Sequence, residues 1–455
     1  MSDLPSPNYR DMKFLVIDDQ PAARQSLRIC AQNMGAFSVE FSVGYQDAIG
    51  RIRARLPDII LCDYELGDER SGQQLLEELR RLGMLPDETV FMMVTAEQSY
   101  EQVVAAVELV PDDYIIKPFS PDRLKFRLDR ALRRKRFFQP LYRAKENSDY
   151  PLAERFIAEH RESEAGQPYR FELLRQKAEL ELKKGDSGAA QSAFEEILAL
   201  HPFPWAKAGM AKSLYAQNRL QEARELVDQV VGGSPLYFDA FDLKARICID
   251  MGDYEEAQKT VAETSQRTKK NYLRKRLLAD AALMNGDAET AREAIADVLQ
   301  NDLTPGAVGT ADRLMLVRSH LEAGDMLAAE KAIAAVTEKS LETATLDDKS
   351  SYQAMRALMA PEKERERFNA MREVWLNTPL STTAQVDIVR AAFVLGDREL
   401  ASATTAALFA SDEIRRVFKL VRGIFETHGM SAAFRDLQKQ AALQKIASSS
   451  KDASA

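Results

Sequence analysis

The stretch Ile59-Ile60-Leu61-Cys62-Asp63 is a short apolar run that ends in an acidic residue. A continuous run of Ile and Leu bounded by polar residues predicts a strand buried on both faces, as in a parallel sheet. Open α/β sheets place their ligands and chemistry at the carboxyl ends of such strands. Asp63 is therefore a candidate functional residue, although most lone Asp residues at this position only cap the following turn.

The composition predicts a soluble globular protein with a sizeable core, since 45% of its 455 residues are hydrophobic and 29% are charged. A formal net charge of −8 argues against nucleic acid as the default partner. Cys30, Cys62 and Cys248 have unrelated spacings, so neither a disulfide framework nor a metal site is expected. The first ten residues do not resemble a signal peptide, and no apolar run approaches the roughly 18 residues of a membrane span. We expect a cytoplasmic protein without a membrane segment.

Residues 12–138 alternate short apolar runs with amphipathic segments. Five strand–helix units in a row predict a doubly wound parallel sheet, that is, an α/β fold. The predicted strands are 13–17, 38–41, 59–63, 89–94 and 113–116, and the predicted helices are 21–34, 46–55, 72–82, 98–109 and 121–138.

Polar residues follow four of these strands, and in a parallel sheet their positions meet at one edge. They are Asp18, Asp19, Asp63, Thr95 and Lys117. Three carboxylates held together repel one another unless a cation lies among them, and a hard, oxygen-liganded dication suggests Mg²⁺. A lysine, a hydroxyl and a metal around one carboxylate form a site for phosphoryl oxygens. The predicted chemistry is phosphoryl transfer onto Asp63.

On these residues the segment 12–138 resembles a response-regulator receiver domain. The resemblance, and not the pattern itself, implies the flavodoxin-like strand order. It also implies that Asp63 is the phosphoacceptor. Asp19 and Asp63 would ligate Mg²⁺ together with the backbone carbonyl of Glu65, and Asp18 would act partly through water.

The same resemblance assigns roles to the remaining residues of the edge. Thr95 would follow the phosphoryl group, Lys117 would pair with it, and Tyr114 would turn inward when Thr95 moves. Pro118 stands where the family usually has a cis peptide bond. The loop after the acceptor strand departs from the family pattern, because it is one residue longer than usual and has Gly67 where a proline is common.

The last helix of this segment is strongly basic, with eight Lys and Arg against two Asp in residues 121–136. One interpretation is a face for an acidic partner or for a second receiver, which would make a homodimer. The other is a solvated helix end whose cations interact favourably with the negative C-terminal end of the helix dipole. Pro140 is predicted to end the helix, and residues 145–149 read as a polar hinge.

From residue 150 onward the pattern is helical and repetitive. A Gly-Asp or Asn signal is followed by a small Ala, and Ala190, Ala223, Ala257 and Ala291 are 33, 34 and 34 residues apart. Gly or Asn would end one helix in a left-handed cap, and Ala would let the next helix approach closely. This period resembles the tetratricopeptide repeat (TPR), which implies an all-α solenoid of about six or seven hairpins. The signals are Gly185, Asn218, Gly252, Gly286, Gly324 and Gly396.

Other features of this half carry weaker predictions. Residues 341–380 fit the repeat poorly, and the charge run at 362–367 suggests a solvated helix face. The basic cluster at 269–276 could contact an acidic peptide or nucleic acid, or be a solvated repeat junction. The four histidines are isolated and are expected to be surface or packing residues. We expect a flexible segment 1–11, a receiver domain 12–138, a linker 139–150, a repeat domain 151–447 and a disordered tail 448–455.

The leading hypothesis is a two-component response regulator. A sensor histidine kinase would phosphorylate Asp63, and the TPR region would bind a protein partner under control of phosphorylation. The rival hypothesis is a phosphoryl sink or inhibitor that docks on a kinase shared with another regulator. A third, transcription control through DNA contact by the basic helix, has weaker support. No enzyme signature is evident beyond Mg²⁺-dependent self-phosphorylation and autodephosphorylation.

Overall fold

The computed structural model describes residues 7–67, 71–96, 111–235, 237–268, 271–300, 308–411 and 414–452. The chain divides into two compact units, Met1–Ala240 and Phe241–Ala455. The first unit contains the α/β part and the first helical hairpins, and the second contains the later helices. The helix predicted at 98–109 lies outside the described residues.

Five parallel strands form one sheet in the order β2-β1-β3-β4-β5, which confirms the predicted doubly wound, flavodoxin-like fold. The strands are β1 (Lys13–Ile17), β2 (Ser38–Ser42), β3 (Ile59–Asp63), β4 (Val90–Thr95) and β5 (Asp113–Ile116). The helices described in this part are α1 (Pro21–Asn33), α2 (Tyr45–Ala54), α3 (Gly72–Arg81) and α4 (Pro121–Glu146).

Both faces of the sheet are covered, because its central strands are apolar on both sides. All five residues of β3 are buried, as the opening run predicts. On one face Leu61 belongs to a core with Leu27 of α1 and Leu128 of α4. On the other face Ile60 belongs to a core with Leu76 of α3. This double burial fixes the strands whose ends carry the candidate site.

Helix α4 runs without a break for 26 residues and passes through Pro140. The prediction that Pro140 ends this helix is therefore wrong. An interior proline removes one backbone hydrogen bond, but apolar packing holds the helix on both sides of it. Leu128 lies in the sheet core, whereas Phe138 and Leu141 lie in a separate core with the next two helices, α5 (Tyr150–Arg161) and α6 (Arg170–Lys184). The polar hinge shortens to residues 147–149.

The rest of the described chain is helical, as predicted, and is arranged largely as successive hairpins. Its helices are α7 (Ser187–Leu200), α8 (Pro204–Ala216), α9 (Leu220–Gly233), α10 (Phe238–Met251), α11 (Tyr254–Arg267), α12 (Tyr272–Met284), α13 (Ala288–Gln300), α14 (Thr310–Glu322), α15 (Met326–Ala334), α16 (Glu338–Glu342), α17 (Leu346–Met359), α18 (Pro361–Ala370), α19 (Arg372–Asn377), α20 (Thr382–Val394), α21 (Arg398–Ala410), α22 (Ile414–Thr427) and α23 (Ser431–Asp452).

The repeat signal has the structural basis that its residue types predict. All six Gly and Asn positions of the signal have positive φ, from 59° at Asn218 to 84° at Gly185. The Asp that follows often caps the next helix, as Asp186 does by accepting a hydrogen bond from the backbone N–H of Ala189. The small alanines after the signal are fully buried, including Ala190 and Ala401.

The segment that fits the repeat poorly still supplies helices. In place of one long second helix it has the two short helices α18 and α19. Trp375 is buried there, and its Nε1 donates to Ser350 Oγ at 2.9 Å. Glu364 of the charge run is also buried and pairs with Arg356, so the prediction of a solvated face is wrong for this residue.

Two described segments lie outside the predicted receiver and repeat domains. Tyr9 is buried, and its hydroxyl donates to Asp129 of α4 at 2.7 Å. The final helix continues to Asp452, beyond the position at which the repeat region was predicted to end. The domain boundaries themselves stay predictions.

Candidate functional site

The carboxyl ends of β1 and β3 bring three carboxylates together. These strands are neighbours with Ile17 opposite Cys62, so the next residues, Asp18 and Asp63, meet at the edge of the sheet. Asp19 completes the group, and one carboxylate oxygen from each residue lies within 4.8 Å of the others. The predicted acidic cluster is present.

Lys117 follows β5 and reaches across the edge. Its Nζ donates to Asp63 Oδ2 at 2.9 Å and to Asp18 Oδ2 at 3.0 Å. The backbone N–H of Lys117 donates to the carbonyl of Thr95 at 2.7 Å, which ties the loop to the end of β4. The Lys117–Pro118 peptide bond is cis, as expected.

Burial and neighbouring charge shape the protonation of this group. Burial raises the pKa of Asp63, and the nearby Asp18 acts in the same direction, while Lys117 opposes both. Burial works against the ammonium of Lys117, but its hydrogen bonds with Asp63 and Asp18 raise its pKa overall. Cys62 lies beneath the site, and burial raises the pKa of its thiol well above the usual value. Lys117 is thus held charged beside the acid it contacts.

The donor set fits a hard divalent cation. Three carboxylates outnumber the one ammonium among these side chains, and oxygen ligands are those that Mg²⁺ prefers. Asp18 is oriented by the backbone N–H of Gln20, which donates to Oδ1 at 2.8 Å. Asp19 is oriented by the side-chain amide of Gln20, which donates to Oδ2 at 2.9 Å. Asp18, Asp19 and Asp63 are therefore the residues that could hold Mg²⁺.

The other predicted site residues lie nearby. Thr95 is the buried last residue of β4, and Glu65 lies in the loop after β3, in a single bridge with Ser71. Tyr114 is half-buried on β5, and the guanidinium of Arg127 lies 5.1 Å from its ring centroid. The roles of Thr95, Tyr114 and the Glu65 carbonyl stay predictions.

Two glycines belong to the site, although the sequence pattern predicts no role for them there. Gly67 has a φ of +70°, and a Cβ at this position would lie 2.5 Å from Asp19 Oδ2. Gly72 begins α3 so close to β3 that a Cβ would clash with the Asp63 carbonyl oxygen. Gly67, which stands where the family often has a proline, thus suits the left-handed backbone, and a side chain there would displace the Asp19 carboxylate. The departure from the family pattern at Gly67 was the one feature of the sequence that could have indicated this role.

The basic side of α4 is largely neutralised within the chain. Arg127 and Arg130 pair with Asp113 at 2.6 and 2.7 Å. Lys135 pairs with Asp112 at 2.8 Å, and Arg134 contacts the same carboxylate. Neither interpretation of this helix anticipated these partners, although Asp112-Asp113 was visible in the sequence. The homodimer stays a prediction.

The basic cluster of the repeats is also paired internally. Arg274 is buried and pairs with Asp242 at 3.0 Å, and Arg276 pairs with Asp312 at 2.6 Å. Lys269 and Lys270 lie outside the described residues. Three of the histidines lie against aromatic rings: His160 and His428 stack on Phe156 and Phe393, and His201 is tilted against Phe203.

Family comparisons agree with both halves of this architecture. Residues 14–129 match the model of the response regulator receiver domain, and residues 175–239 and 243–308 match a tetratricopeptide repeat model. The chain contains a receiver domain followed by TPR repeats. The receiver match covers the whole cluster of Asp18, Asp19, Asp63, Thr95 and Lys117.

Similar proteins share the receiver part. The phosphate regulon transcriptional regulatory protein PhoB of Escherichia coli (strain K12) is 34% identical over 122 residues, 27% of this chain and 52% of that protein. The response regulator MprA of Mycobacterium avium (strain 104) is 32% identical over 123 residues, with the same coverages. This chain therefore spans about half the length of these relatives.

A solved tetratricopeptide repeat protein from Parabacteroides merdae ATCC 43184 aligns with 60% of this chain and 98% of its own length. The identity is 14% and the TM-score 0.42, which is too low to establish a shared fold. Among the described helices, none is both long enough and apolar enough to span a membrane.

Proposed function

We propose that this chain is a two-component response regulator whose Asp63 accepts a phosphoryl group from a sensor histidine kinase. The observation that carries the proposal is the contact of Lys117 with both Asp63 and Asp18, beside a third carboxylate. This arrangement offers oxygen ligands for Mg²⁺ and an ammonium for phosphoryl oxygens around one acid. The receiver match at residues 14–129 supports the same chemistry.

The proposed reaction forms a bond between an Asp63 oxygen and phosphorus. The bond between phosphorus and the histidine nitrogen of the kinase breaks, and its electron pair returns to the imidazole. Lys117 stabilises the negative phosphoryl oxygens by donating hydrogen bonds from its ammonium. Mg²⁺ held by Asp18, Asp19 and Asp63 would neutralise charge on the same oxygens. Thr95, at the end of the adjacent strand, supplies the hydroxyl that follows the phosphoryl group.

The proposed output is protein binding by the TPR region under control of phosphorylation, so the chain is a regulator rather than a metabolic enzyme. Helix α4 supports this connection, because it shares one core with the sheet and another with α5 and α6. Arg127 of α4 also contacts the ring of Tyr114 and the carboxylate of Asp113. A movement of Tyr114 would therefore act on the helix that enters the repeats.

The acceptor is tested with the purified full chain, Mg²⁺ and a small acyl phosphate as donor. Intact mass spectrometry should show one added phosphoryl group on the wild type and none on Asp63→Asn. Asp11→Asn, which removes an exposed carboxylate, should be phosphorylated like the wild type. Phosphorylation of Asp63→Asn to the wild-type extent would overturn the assignment.

The output is tested with the full chain, because a fragment that begins at residue 139 would cut through α4. Small-angle scattering and affinity capture are compared for wild type with and without phosphorylation, with Asp63→Asn as control. A phosphorylation-dependent change that the variant lacks would support the regulator. If all three samples behave alike, and if wild type but not Asp63→Asn diverts phosphoryl groups from a second regulator, the phosphoryl-sink hypothesis replaces it.

A further inference from the structure

Helix α22 has two faces with different partners. Val417, Val421 and Phe425 are fully buried in the core that α22 shares with α20, α21 and α23. The other face carries Arg416 and Lys419, which point to the earlier repeats of the same unit. The helix is basic and amphipathic, and its two faces are held by different kinds of interaction.

The second face contacts the surface of α10–α12 mainly through polar groups, with Leu420 close to Met284 at one edge. Arg416 pairs with Asp280, and its guanidinium lies 3.9 Å from Asp250. Lys419 Nζ donates to the carbonyl of Gly252 at 2.9 Å. The hydroxyl of Tyr254 donates to the carbonyl of Arg416 at 2.6 Å. We call the six residues of these polar contacts the closing contact.

The closing contact is the weaker of the two attachments of α22. The side chains of Arg416, Asp280 and Asp250 are 32%, 21% and 26% exposed, and partly exposed ion pairs contribute little net stability. Fully buried apolar side chains hold the opposite face. Leaving α10–α12 should therefore cost α22 less free energy than leaving the core that it shares with α20, α21 and α23, although Met284 of α12 also packs at the edge of that core.

The surface beneath α22 has a definite chemistry. It presents two carboxylates, one backbone carbonyl and one tyrosine ring, and Lys419 lies 5.3 Å from the centroid of that ring. Its present occupant is a helix with cations three residues apart, followed by Leu420, which lines a cleft with Met284. Charge complementarity and the seated helix together define which ligand fits.

We propose that the surface formed by Asp250, Gly252, Tyr254 and Asp280 is a docking site for a basic amphipathic helix of a partner protein, and that α22 occupies this site in cis. The proposal rests on the proposed function of the repeats as a protein-binding output, and it names the partner's chemistry. Binding of the partner displaces α22, so the closing contact is autoinhibitory.

The probe is a fluorescein-labelled peptide with the sequence of residues 414–427, and fluorescence anisotropy measures its binding to the full chain. Arg416→Glu removes the cis contact and leaves the acidic surface intact. It should bind the peptide roughly tenfold more tightly than wild type if the closed form holds about nine-tenths of the wild-type population. Arg415→Glu makes the same charge change at an exposed neighbour and should behave like wild type.

Further variants keep the proposal falsifiable. Lys419→Glu should also bind the peptide more tightly than wild type, and it replaces Arg416→Glu if that variant fails to fold. Adding Asp280→Arg to Arg416→Glu should restore the pair and suppress binding again. Equal binding by wild type and both opened variants would overturn the proposal. Concentration-dependent dimers of wild type that exchange α22 would also overturn it, because the occupant would then be a second copy.

The experiment needs no phosphoryl group. If the peptide results hold but phosphorylated wild type and Asp63→Asn bind the peptide alike, the docking site stands and phosphorylation control fails. If phosphorylation changes the scattering profile but the opened variants do not bind the peptide, the docking site fails and the regulator stands.

Discussion

In the α/β part, Asp18, Asp63 and Lys117 come from positions up to 99 residues apart and meet at one edge of a sheet. In the helical array, Ala190, Ala223 and Ala257 recur about every 34 residues and perform the same packing task in each hairpin. The first region concentrates its chemistry in a few atoms, whereas the second distributes its stability over equivalent positions. Substitutions should therefore have different consequences in the two regions.

The largest expected effect is loss of chemistry without loss of fold. Asp19→Asn removes one of the three clustered carboxylates and should reduce phosphorylation by an acyl phosphate severely, because a neutral amide attracts Mg²⁺ less than a carboxylate does. Thermal unfolding of the helical array should be unchanged. Intact mass and circular dichroism measure the two effects. A large drop in helical stability would contradict the separation of the regions.

The next prediction is an exception to this contrast between the two regions. Asp112 belongs to the α/β part, but it lies away from the acceptor and should affect stability instead of chemistry. Its buried carboxylate contacts Lys135 and Arg134. Burial alone would raise the pKa of Asp112, but these cations lower it overall. Asp112→Asn should cost about 3 kcal/mol of unfolding free energy at neutral pH, since it leaves buried cations less compensated.

The sign of the pH dependence is set by the lowered pKa of Asp112. A carboxylate whose folded pKa is depressed stabilises the fold above its unfolded pKa, and the contribution is lost as the pH falls through the folded value. The difference between wild type and Asp112→Asn in urea unfolding should therefore shrink below about pH 4. A difference that stays constant down to pH 2, roughly the acid limit of such titrations, would contradict the ion-pair explanation.

A smaller effect should appear in the repeats, where overpacking at one position is only a local defect. Ala401 is fully buried on α21, whereas Ala407 on the same helix is exposed. Ala401→Leu should lower the unfolding free energy by about 2 kcal/mol, and Ala407→Leu should leave it nearly unchanged. Chemical denaturation followed by circular dichroism compares the two. Equal stabilities would show that close helix approach is not the role of the small residue.

The smallest expected effect is on Mg²⁺ binding, and it tests whether the loop at Gly67 positions Asp19 in the acceptor site. Gly67→Ala should weaken Mg²⁺ binding roughly tenfold, because the new Cβ would displace Asp19. Gly83→Ala is the matched control, since Gly83 also has positive φ but faces open space. Both variants should lose about 1 kcal/mol of stability from backbone strain, but calorimetric titration should show weaker metal binding only for Gly67→Ala.

Much of the fold could be predicted because it depends on local patterns. The apolar run before Asp63 predicts a buried strand, and the Gly and Asn signals predict left-handed caps that the structure has. The meeting of Asp18, Asp63 and Lys117 was also predictable, because parallel strands share an edge.

The features that the sequence did not reveal depend on contacts between distant residues. Pro140 is tolerated because Phe138 and Leu141 are anchored by helices that come later in the chain. Glu364 is buried because Arg356 lies on the preceding helix. The packing of Gly67 against Asp19 likewise joins two loops. Local periodicity does not indicate which distant residue will pair with a charged side chain, or which helices will pack around a proline.

Because α4 is continuous, it fixes the rotation about its own axis of the core at its C-terminal end relative to the sheet core at its N-terminal end. Twenty-six residues at 1.5 Å each make a rod of about 39 Å, and each residue added within it would rotate the later helices by about 100°. One or two inserted residues should therefore misalign the two cores, whereas three or four should nearly restore their orientation. A rotation or tilt at one end of such a helix is passed on to the other end. A different receiver joined to these repeats must therefore supply a last helix of the right length, so that its core-facing residues keep the right orientation about the helix axis.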